Sequence, residues 1–311
     1  MKSKLKSQEP REVCDKQIPP QNNASIAGDN ETNRASVISV AKKQQLGNVN
    51  ALKLFIPIVD NEYRSKRNIS KEDKDITCDC LLTRAEIKQG KFGCGMNCLN
   101  RILNIECGPQ CQNGDRCTNK CFQEHQSADC YVSKTEKKGY GVFATSFIPS
   151  GRFLMEYVGE VLNTKQFQRR CNEYSRSKNV HFYFMSLANG FVIDATKRGT
   201  ISRFINHSCD PNAEAQKWMV NGQLRIGLFS TKAIRSGEEI AFDYNIQRYG
   251  KIGQRCFCGA ENCCGWIGGA PDSERGEEER WNRDELAESN EVVHRGCETN
   301  NNCPITNAKF L

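Results

Sequence analysis

The chain has 311 residues, a net charge of +7 and 18 cysteines. A chain of this length can bury a sizeable core, so the cysteines are not needed merely to hold it folded. No stretch approaches the ~20 apolar residues of a membrane span, and residues 1–11 lack the apolar run of a secretory signal. We therefore expect no membrane contact and a reducing compartment, where clustered cysteines bind metal more often than they form disulfides.

The first 72 residues are rich in Asn, Gln, Ser and Lys and show no sustained helical or alternating period. Their one apolar stretch, residues 52–59, is interrupted by Pro57. This composition predicts a disordered or weakly ordered segment. Residues 271–311 hold 10 Asp/Glu against 5 Lys/Arg, so residues 270–311 are interpreted as an acidic tail. The rest of the chain is basic, which suits an acidic or nucleic-acid-bound partner or serves only solubility.

Cysteine spacing dominates the next part of the chain. Two thiolates separated by one to three residues can face a single tetrahedral ion, and seven such cysteines follow one another here: Cys78, Cys80, Cys94, Cys98, Cys107, Cys111 and Cys117. Two ions would need eight ligands, so one thiolate, which we predict to be Cys94, would bridge them. The alternative is a set of disulfides or reduced thiols. A zinc site closed by thiolates is structural, because a catalytic zinc keeps a position open.

Between residues 130 and 245 the pattern changes to short β-rich runs that alternate with Gly, Asn and Pro turns. Residues 152–162, 182–187 and 224–229 are examples of such runs. One helix is predicted over residues 164–177, with Thr164 as its N-cap and Phe167, Cys171 and Tyr174 on one face.

A second cysteine group supplies three thiolates, Cys256, Cys258 and Cys263. Adjacent cysteines rarely point at the same ion, so Cys264 is a poor fourth ligand. Cys209, in a turn-rich segment, is the better candidate. Together with the first group, this predicts three structural zinc ions.

Cys209 ends the run Asn206-His207-Ser208-Cys209, and Ala241-Phe242-Asp243-Tyr244 follows it along the chain. These two runs resemble the signature motifs of SET-domain lysine methyltransferases, and Lys138-Gly139-Tyr140-Gly141 resembles the opening motif of that family. The leading cysteine block resembles the AWS (associated with SET) module, and the trailing one resembles the post-SET motif. The resemblance implies a mainly β fold of small curled sheets with a pseudoknot, flanked by zinc-binding modules. Its parts would be residues 73–127 (AWS), 128–246 (SET) and 252–269 (post-SET).

The resemblance also implies the catalytic residues. Such an enzyme transfers a methyl group from S-adenosylmethionine to the neutral amine of a lysine. Tyr244 would orient that amine, and Tyr157 and Tyr183 would form other walls of a narrow channel. Phe242 stands where a tyrosine in this family limits the product to one methyl group, so its presence implies di- or trimethylation.

Cofactor contacts follow in the same way. The amino-acid end of S-adenosylmethionine is expected near Lys138, Gly139 and Tyr140, and its adenine near Asn206 and His207. Further contacts are expected from His181, Phe182, Tyr183, Gln254, Phe257 and Gly269.

The order of modules and residues 216–225 most resemble the enzymes that methylate lysine 36 of histone H3. The implied partners are the nucleosome, the histone H3 tail and DNA phosphates, and the implied location is the nucleus and chromosome. Arg248 resembles a residue that plugs the lysine channel until the nucleosome displaces it. Nothing in the chain resembles a domain that binds RNA polymerase, so that link is unsupported. The alternatives are another histone lysine, a non-histone substrate or a catalytically silent chromatin-binding zinc module.

Overall fold

The computed structural model describes residues 49–65, 77–176, 182–245, 254–269 and 308–309. Over these residues strands greatly outnumber helices, which confirms the predicted mainly β fold class. The helices are α1 Val49–Leu52, α2 Arg84–Lys88, α3 Leu99–Ile102 and α4 Thr164–Arg176, with 3-10 helices at Gly114–Arg116 and Ile201–Phe204. The strands are β1 Ile56–Pro57, β2 Glu62–Tyr63, β3 Cys130–Lys134, β4 Tyr140–Ala144, β5 Phe153–Glu156, β6 Glu160–Leu162, β7 Phe182–Ala188, β8 Phe191–Asp194, β9 Arg198–Gly199, β10 Asn206–His207, β11 Ala213–Val220, β12 Gln223–Ser230, β13 Glu239–Phe242, β14 Gln254–Arg255, β15 Trp266–Ile267 and β16 Ala308–Lys309.

The described strands form four small sheets. The largest has the order β3-β4-β13-β11-β12-β5, with β10 paired to β13. A second has the order β16-β7-β8-β6-β2, and two-stranded sheets join β1 to β9 and β14 to β15. Few neighbours in the two larger sheets are consecutive in the chain, so the sheets bring together side chains that are far apart in the sequence.

Two hairpins owe their register to Asn-Gly turns. Asn221 and Gly222 connect β11 to β12 with φ values of 49° and 72°, and Asn189 and Gly190 connect β7 to β8 with 50° and 75°. A two-residue turn with both residues in the left-handed region matches the twist of the flanking strands, and Asn-Gly is its preferred sequence. These turns therefore fix two long antiparallel pairings by local chemistry.

The segment after the 3-10 helix at Ile201–Phe204 pairs with a strand more than thirty residues later. In the parallel pair of β10 and β13, Asn206 lies opposite Ala241 and His207 lies opposite Phe242. The two motif segments noted in the sequence are therefore neighbours in the fold, and Tyr244 follows directly from the end of β13.

Helix α4 confirms the helix predicted over residues 164–177, as far as the described residues extend. Its N-cap is Asn163 rather than Thr164. The Asn163 side chain accepts from the Gln166 N–H at 3.0 Å, and the Gln166 side chain accepts from the Asn163 N–H at 3.0 Å. This reciprocal pair satisfies two backbone donors at the helix start. Cys171 and Tyr174 are buried on the predicted face, where Phe167 packs alongside them.

The cysteine-rich part of the chain is attached to the sheets through Phe122. Its ring is buried among Phe153, Trp218, Val220 and Phe229. Backbone hydrogen bonds from Glu106 to Met219 (2.9 Å) and from Met219 to Asn104 (2.8 Å) lie along the same junction. The two parts therefore share an aromatic core as well as a backbone ladder.

Residues 49–65 depart from the expectation that residues 1–72 are disordered or weakly ordered. Ala51 and Phe55 are buried in the main core, because β1 and β2 pair in parallel with β9 and β6. The rest of that segment lies outside the described residues. So does the predicted acidic tail, apart from β16, which pairs with β7. None of the helices in the described part is long and apolar enough to cross a membrane.

Candidate active site and zinc centres

Seven thiols from residues 78–117 form one cluster, with Cys80 at its partly exposed edge. Two sets of four have all their sulfur atoms within 4.8 Å of one another: Cys78, Cys80, Cys94 and Cys98, and Cys78, Cys94, Cys107 and Cys111. Tetrahedral zinc with Zn–S bonds of ~2.3 Å places its sulfur ligands about 3.8 Å apart. The Sγ–Sγ distances are 3.6 Å for Cys78–Cys94, 3.5 Å for Cys94–Cys111 and 3.9 Å for Cys98–Cys107. The cluster therefore fits two zinc ions, and none of the described cysteines forms a disulfide.

Cys94 lies at the centre of this cluster. It belongs to both sets and also interacts with the seventh thiol, Cys117. Its backbone is left-handed, with φ 56°, a conformation that is costly for residues other than Gly, Asn and Asp. Burial raises the pKa of Cys94 far above its ordinary range, and a bound cation would oppose that shift by stabilising the thiolate. Membership of both sets supports Cys94 as the bridging ligand. Cys78 also belongs to both sets, which the sequence spacing does not predict.

Three asparagines that the sequence analysis did not single out surround the thiols. Asn113 Nδ2 donates to Cys94 Sγ at 3.2 Å and to the Cys80 carbonyl at 2.9 Å. Asn119 Nδ2 donates to Cys107 Sγ at 3.4 Å, and Asn100 Nδ2 approaches the same sulfur at 3.7 Å. Such outer hydrogen bonds orient metal ligands and offset the charge of thiolates. No sequence signal marks these residues, because asparagine is common in loops.

The post-SET group is completed by Cys209. The sulfur atoms of Cys209, Cys256, Cys258 and Cys263 lie within 4.8 Å of one another and fit a third zinc ion. Cys264 is exposed, and its thiol faces the Trp266 carbonyl at 3.4 Å. The four thiols come from two segments that are 47 residues apart, so this centre ties the turn after β10 to the end of the described core.

Tyr244 is buried beside this third centre. Its hydroxyl donates to the Ile205 carbonyl at 2.8 Å, and its backbone N–H donates to His207 Nδ1 at 3.1 Å. Because Nδ1 accepts that bond, the imidazole is neutral and makes no ion pair with Asp243, although Asp243 Oδ1 lies 3.4 Å away. Burial lowers the pKa of His207, in agreement with a neutral ring. Its Nε2 lies 3.4 Å from Cys209 Sγ, so one histidine contacts both Tyr244 and a zinc ligand.

Other aromatic side chains collect around Tyr244. The ring of Phe242 is 5.0 Å from the ring of Tyr244 and is fully buried. Burial raises the pKa of Tyr244, and the nearby Tyr157 and Tyr183 raise it further, so its phenol stays neutral. The structure thus brings together all four residues that the sequence analysis named as catalytic. A buried neutral tyrosine can orient a polar group but cannot act as an anionic base.

A carboxylate that sequence reasoning missed connects the expected cofactor residues. Glu239 accepts from Lys138 Nζ at 2.6 Å and from Asn206 Nδ2 at 2.9 Å. Asn206 Nδ2 also donates to the Tyr140 carbonyl at 3.0 Å. The opening glycine motif is therefore joined to β10 and β13 through one side chain. Nothing in the local sequence distinguishes Glu239 from other strand residues. Its contact with Asn206 becomes apparent only from the pairing of β10 with β13.

A cavity of about 450 Å³ opens beside this cluster, within the range of small-molecule sites. Its lining includes Thr135, Lys138, Phe143, Glu239 and Phe257. The Phe257 ring is half exposed, as a ring available for stacking would be. Gln254 lies in β14 and is exposed, and Gly269 is half-buried. His181 and Arg248 lie outside the described residues, and Phe182 is described by its backbone in β7 alone.

Arg203 is a further residue that the sequence analysis did not identify. Its guanidinium is buried, with its central carbon 3.9 Å from the centroid of the Tyr183 ring. Among the described residues, its Nε and Nη1 atoms have no hydrogen-bond partner. Its position therefore depends on aromatic ring faces, which attract guanidinium groups.

Comparison with known proteins defines the class. Residues 139–245 match the family model of the SET domain, and residues 89–125 match that of the AWS domain. The chain therefore carries a SET domain, preceded by an AWS domain.

Individual proteins that are similar to this chain are histone-lysine N-methyltransferases. The Drosophila melanogaster histone-lysine N-methyltransferase Set2 is 53% identical over 255 residues, covering 82% of this chain and 11% of that protein. The Homo sapiens histone-lysine N-methyltransferase SETD2 is 53% identical over 219 residues, covering 69% and 8%. A Debaryomyces hansenii histone-lysine N-methyltransferase, H3 lysine-36 specific, is 43% identical over 219 residues, covering 69% and 30%. The chain thus spans less than a third of each of these three relatives. A solved structure of an active polycomb repressive complex 2 in the stimulated state matches this chain with a TM-score of 0.45 and 30% identity. The match covers 48% of this chain and 21% of the chain in that structure.

Proposed function

We propose that the chain is a histone-lysine N-methyltransferase that transfers methyl groups from S-adenosylmethionine to lysine 36 of histone H3. The observation that carries this proposal is the buried Tyr244 inside a SET domain, with Phe242, Tyr157 and Tyr183 near it. Its phenol donates to the Ile205 carbonyl, and its backbone N–H donates to His207. The named activities of the relatives support the same reaction.

The amine of the substrate must be neutral to react. Free lysine has a pKa of ~10.4, so the protonated form dominates by about three orders of magnitude at neutral pH. An aromatic channel removes water from the ammonium and lowers its pKa. S-adenosylmethionine, held by Lys138, Asn206 and His207, would supply the methyl group, and the neutral lysine amine would accept it. Tyr244 orients the amine, and Tyr157 and Tyr183 form the channel walls, so their contribution is alignment and exclusion of water.

The cofactor residues have matching chemistry. Lys138 and Glu239 provide opposite charges for the carboxylate and ammonium of the amino-acid end, beside the backbone of Gly139 and Tyr140. Asn206 and His207 serve the adenosyl side. The half-exposed Phe257 offers a stacking face at the mouth of the cavity, supported by Gln254 and Gly269. His181, Phe182 and Tyr183 complete this proposed contact set.

The proposed function also assigns a role to each module of the chain. Residues 73–127 form the AWS zinc module, 128–246 the SET catalytic domain and 252–269 the post-SET motif, with zinc in a structural role. The contact between His207 and Cys209 gives a reason why zinc loss at the post-SET centre would reach the catalytic tyrosine.

The substrate is proposed to be the nucleosome, with the basic chain contacting DNA phosphates, and the place of action is the nucleus and chromosome. Contacts to phosphates weaken as salt rises. Phe242 leaves room for more than one methyl group, so the product is di- or trimethyllysine. Arg248 would plug the channel in the free enzyme, making histone peptides slower substrates than nucleosomes.

The test is transfer of labelled methyl groups from S-adenosylmethionine to recombinant nucleosomes. The unchanged protein should label histone H3, and Tyr244→Phe should lower kcat about 100-fold while the protein stays folded, with a modest loss of stability from the unpaired Ile205 carbonyl. Tyr131→Phe is the matched control, because Tyr131 lies on β3 and does not line the cavity, and the substitution keeps the ring that stacks on Phe143. Equal rates for Tyr244→Phe and the unchanged protein would remove this tyrosine from the mechanism. No labelling of histone H3 would reject the proposed function.

A further inference from the structure

Residues 49–65, called the leading segment below, are bound to the SET domain along two strands that flank the proposed channel. The Ile56 N–H donates to the Lys197 carbonyl at 2.8 Å and the Ile58 N–H to the Gly199 carbonyl at 3.0 Å, beside β9. At its other end the Arg64 N–H donates to the Val161 carbonyl at 3.2 Å, beside β6. The leading segment lies outside both matched domains, and the proposed reaction gives it no role.

One side chain of the leading segment holds the loop that carries Tyr157. This loop connects β5 to β6. Asn61 Nδ2 donates to Glu156 Oε1 at 3.1 Å, on the residue before Tyr157, and Asn61 Oδ1 accepts from the Gly159 N–H at 3.0 Å, two residues after it. The Glu62 N–H donates to the Gly159 carbonyl at 3.0 Å as well. The loop is therefore bonded to the leading segment at both of its ends.

A second side chain of the leading segment reaches Tyr183 through Arg203. Phe55 is buried, and its ring centroid lies 4.9 Å from the guanidinium carbon of Arg203. That carbon is 3.9 Å from the Tyr183 ring and 5.2 Å from the Phe204 ring. Because the Nε and Nη1 atoms of Arg203 have no hydrogen-bond partner among the described residues, its contacts with the three rings contribute to the position of the guanidinium. Phe55 supplies one of those rings.

We infer that the leading segment is a positioning element of the lysine channel. Asn61 holds the wall formed by Tyr157, and Phe55 holds the wall formed by Tyr183 through Arg203. The inference rests on the proposed function, since the channel is part of that proposal. Neither residue touches the reacting atoms, so both are positioning residues, and their loss should alter turnover more than cofactor binding.

Two pairs of variants test this inference in the full chain. Asn61→Ala removes both side-chain hydrogen bonds, and Leu54→Ala is its control, because Leu54 is 57% exposed on the same segment. Phe55→Leu keeps an apolar side chain but removes the ring, and Phe55→Tyr keeps the ring as the conservative partner. For each variant, kcat and KM for S-adenosylmethionine on nucleosomes are measured together with the melting temperature and zinc content. Hydrogen exchange of the peptide covering residues 157–159 is followed by mass spectrometry.

We expect Asn61→Ala and Phe55→Leu to lower kcat by about tenfold or more while KM for S-adenosylmethionine stays unchanged. Asn61→Ala should also speed exchange at residues 157–159, because the Gly159 amide loses its acceptor. Leu54→Ala and Phe55→Tyr should behave like the unchanged protein.

Unchanged kcat in Asn61→Ala and Phe55→Leu would overturn the inference while leaving the proposed function intact. Equal losses in Phe55→Tyr and Phe55→Leu, together with lost zinc or a collapsed melting temperature, would mark general unfolding and would also overturn it. If the unchanged protein transfers no methyl group, the proposed function fails first. Unaltered exchange at residues 157–159 in Asn61→Ala would then reject the structural link separately.

Discussion

The zinc cluster and the tyrosine site are built in opposite ways. The cluster takes its seven ligands from forty residues of chain, and its buried core consists of the cysteines themselves. Around it Phe92, Met96, Leu99 and Ile102 are all more than half exposed. The tyrosine site collects side chains from the loop after β5, from β7 and β10, and from the end of β13, and it lies in the main apolar core. Metal binding therefore organises one region, and burial of apolar side chains organises the other.

Removal of metal should have the largest effect, and it should affect the zinc cluster far more than the tyrosine site. Structural zinc contributes on the order of 10–16 kcal/mol in small zinc domains, and the cysteine cluster has little apolar core to replace it. Chelation should release three zinc ions per chain and unfold residues 78–117, while the β11–β12 hairpin keeps protected amides. Elemental analysis and hydrogen exchange of the same samples check this. One zinc or none in the purified protein would contradict the ligand assignment.

Replacement of Phe122 tests the junction between the two regions. Its ring lies 4.7 Å from Phe153 and 6.0 Å from Trp218, and it is 1% exposed. Phe122→Ala should lower the free energy of unfolding by about 3–5 kcal/mol, the range for a buried phenylalanine. Phe92→Ala is the matched control, since Phe92 is 65% exposed. Denaturant titration of both variants gives the difference, and equal midpoints would show that the junction is not a shared core.

The smallest expected effect is a pH dependence that belongs to the sheet region alone. Burial raises the pKa of Glu156 to about 7, although Arg225 lies 3.2 Å away and opposes the shift. The folded state then binds this proton more tightly than the unfolded state. The contribution of Glu156 to stability is therefore fully present below pH 4.5, the ordinary pKa of the carboxyl. It falls as pH rises from there to about 7 and then stays constant.

Glu156→Gln removes that titration. The unfolding free energy of the unchanged protein relative to the variant should fall by about 1–2 kcal/mol between pH 5.5 and pH 8. Denaturant titrations at both pH values measure this difference, and thiolate titration affects both proteins alike. Parallel profiles would mean that Arg225 keeps Glu156 ionised throughout.

The zinc ligands can be predicted from the sequence better than the tyrosine site, because they lie close together along the chain. Local spacing identifies ten of the cysteine ligands directly. Cys209 is predicted as the eleventh because it lies in a turn-rich segment. The helix at Thr164–Arg176 followed from its apolar period, but Asn163 took the cap because Gln166 completes the reciprocal bond. Glu239, Asn61 and Arg203 could not be found, because their roles arise from pairings between distant strands. Residues 49–65 were missed because most of their stabilisation comes from β6 and β9.

The measurement that tests the central claim most directly is mass spectrometry of nucleosomes after reaction with the protein and isotopically labelled S-adenosylmethionine. Nucleosomes in which lysine 36 of histone H3 is replaced by arginine serve as the control. The account predicts labelled di- or trimethyllysine at position 36 of histone H3 and no labelled histone H3 in the control. Labelled methyl groups on another lysine, with undiminished transfer to the arginine nucleosome, would contradict the substrate assignment, and only monomethyllysine at completion would contradict the role given to Phe242.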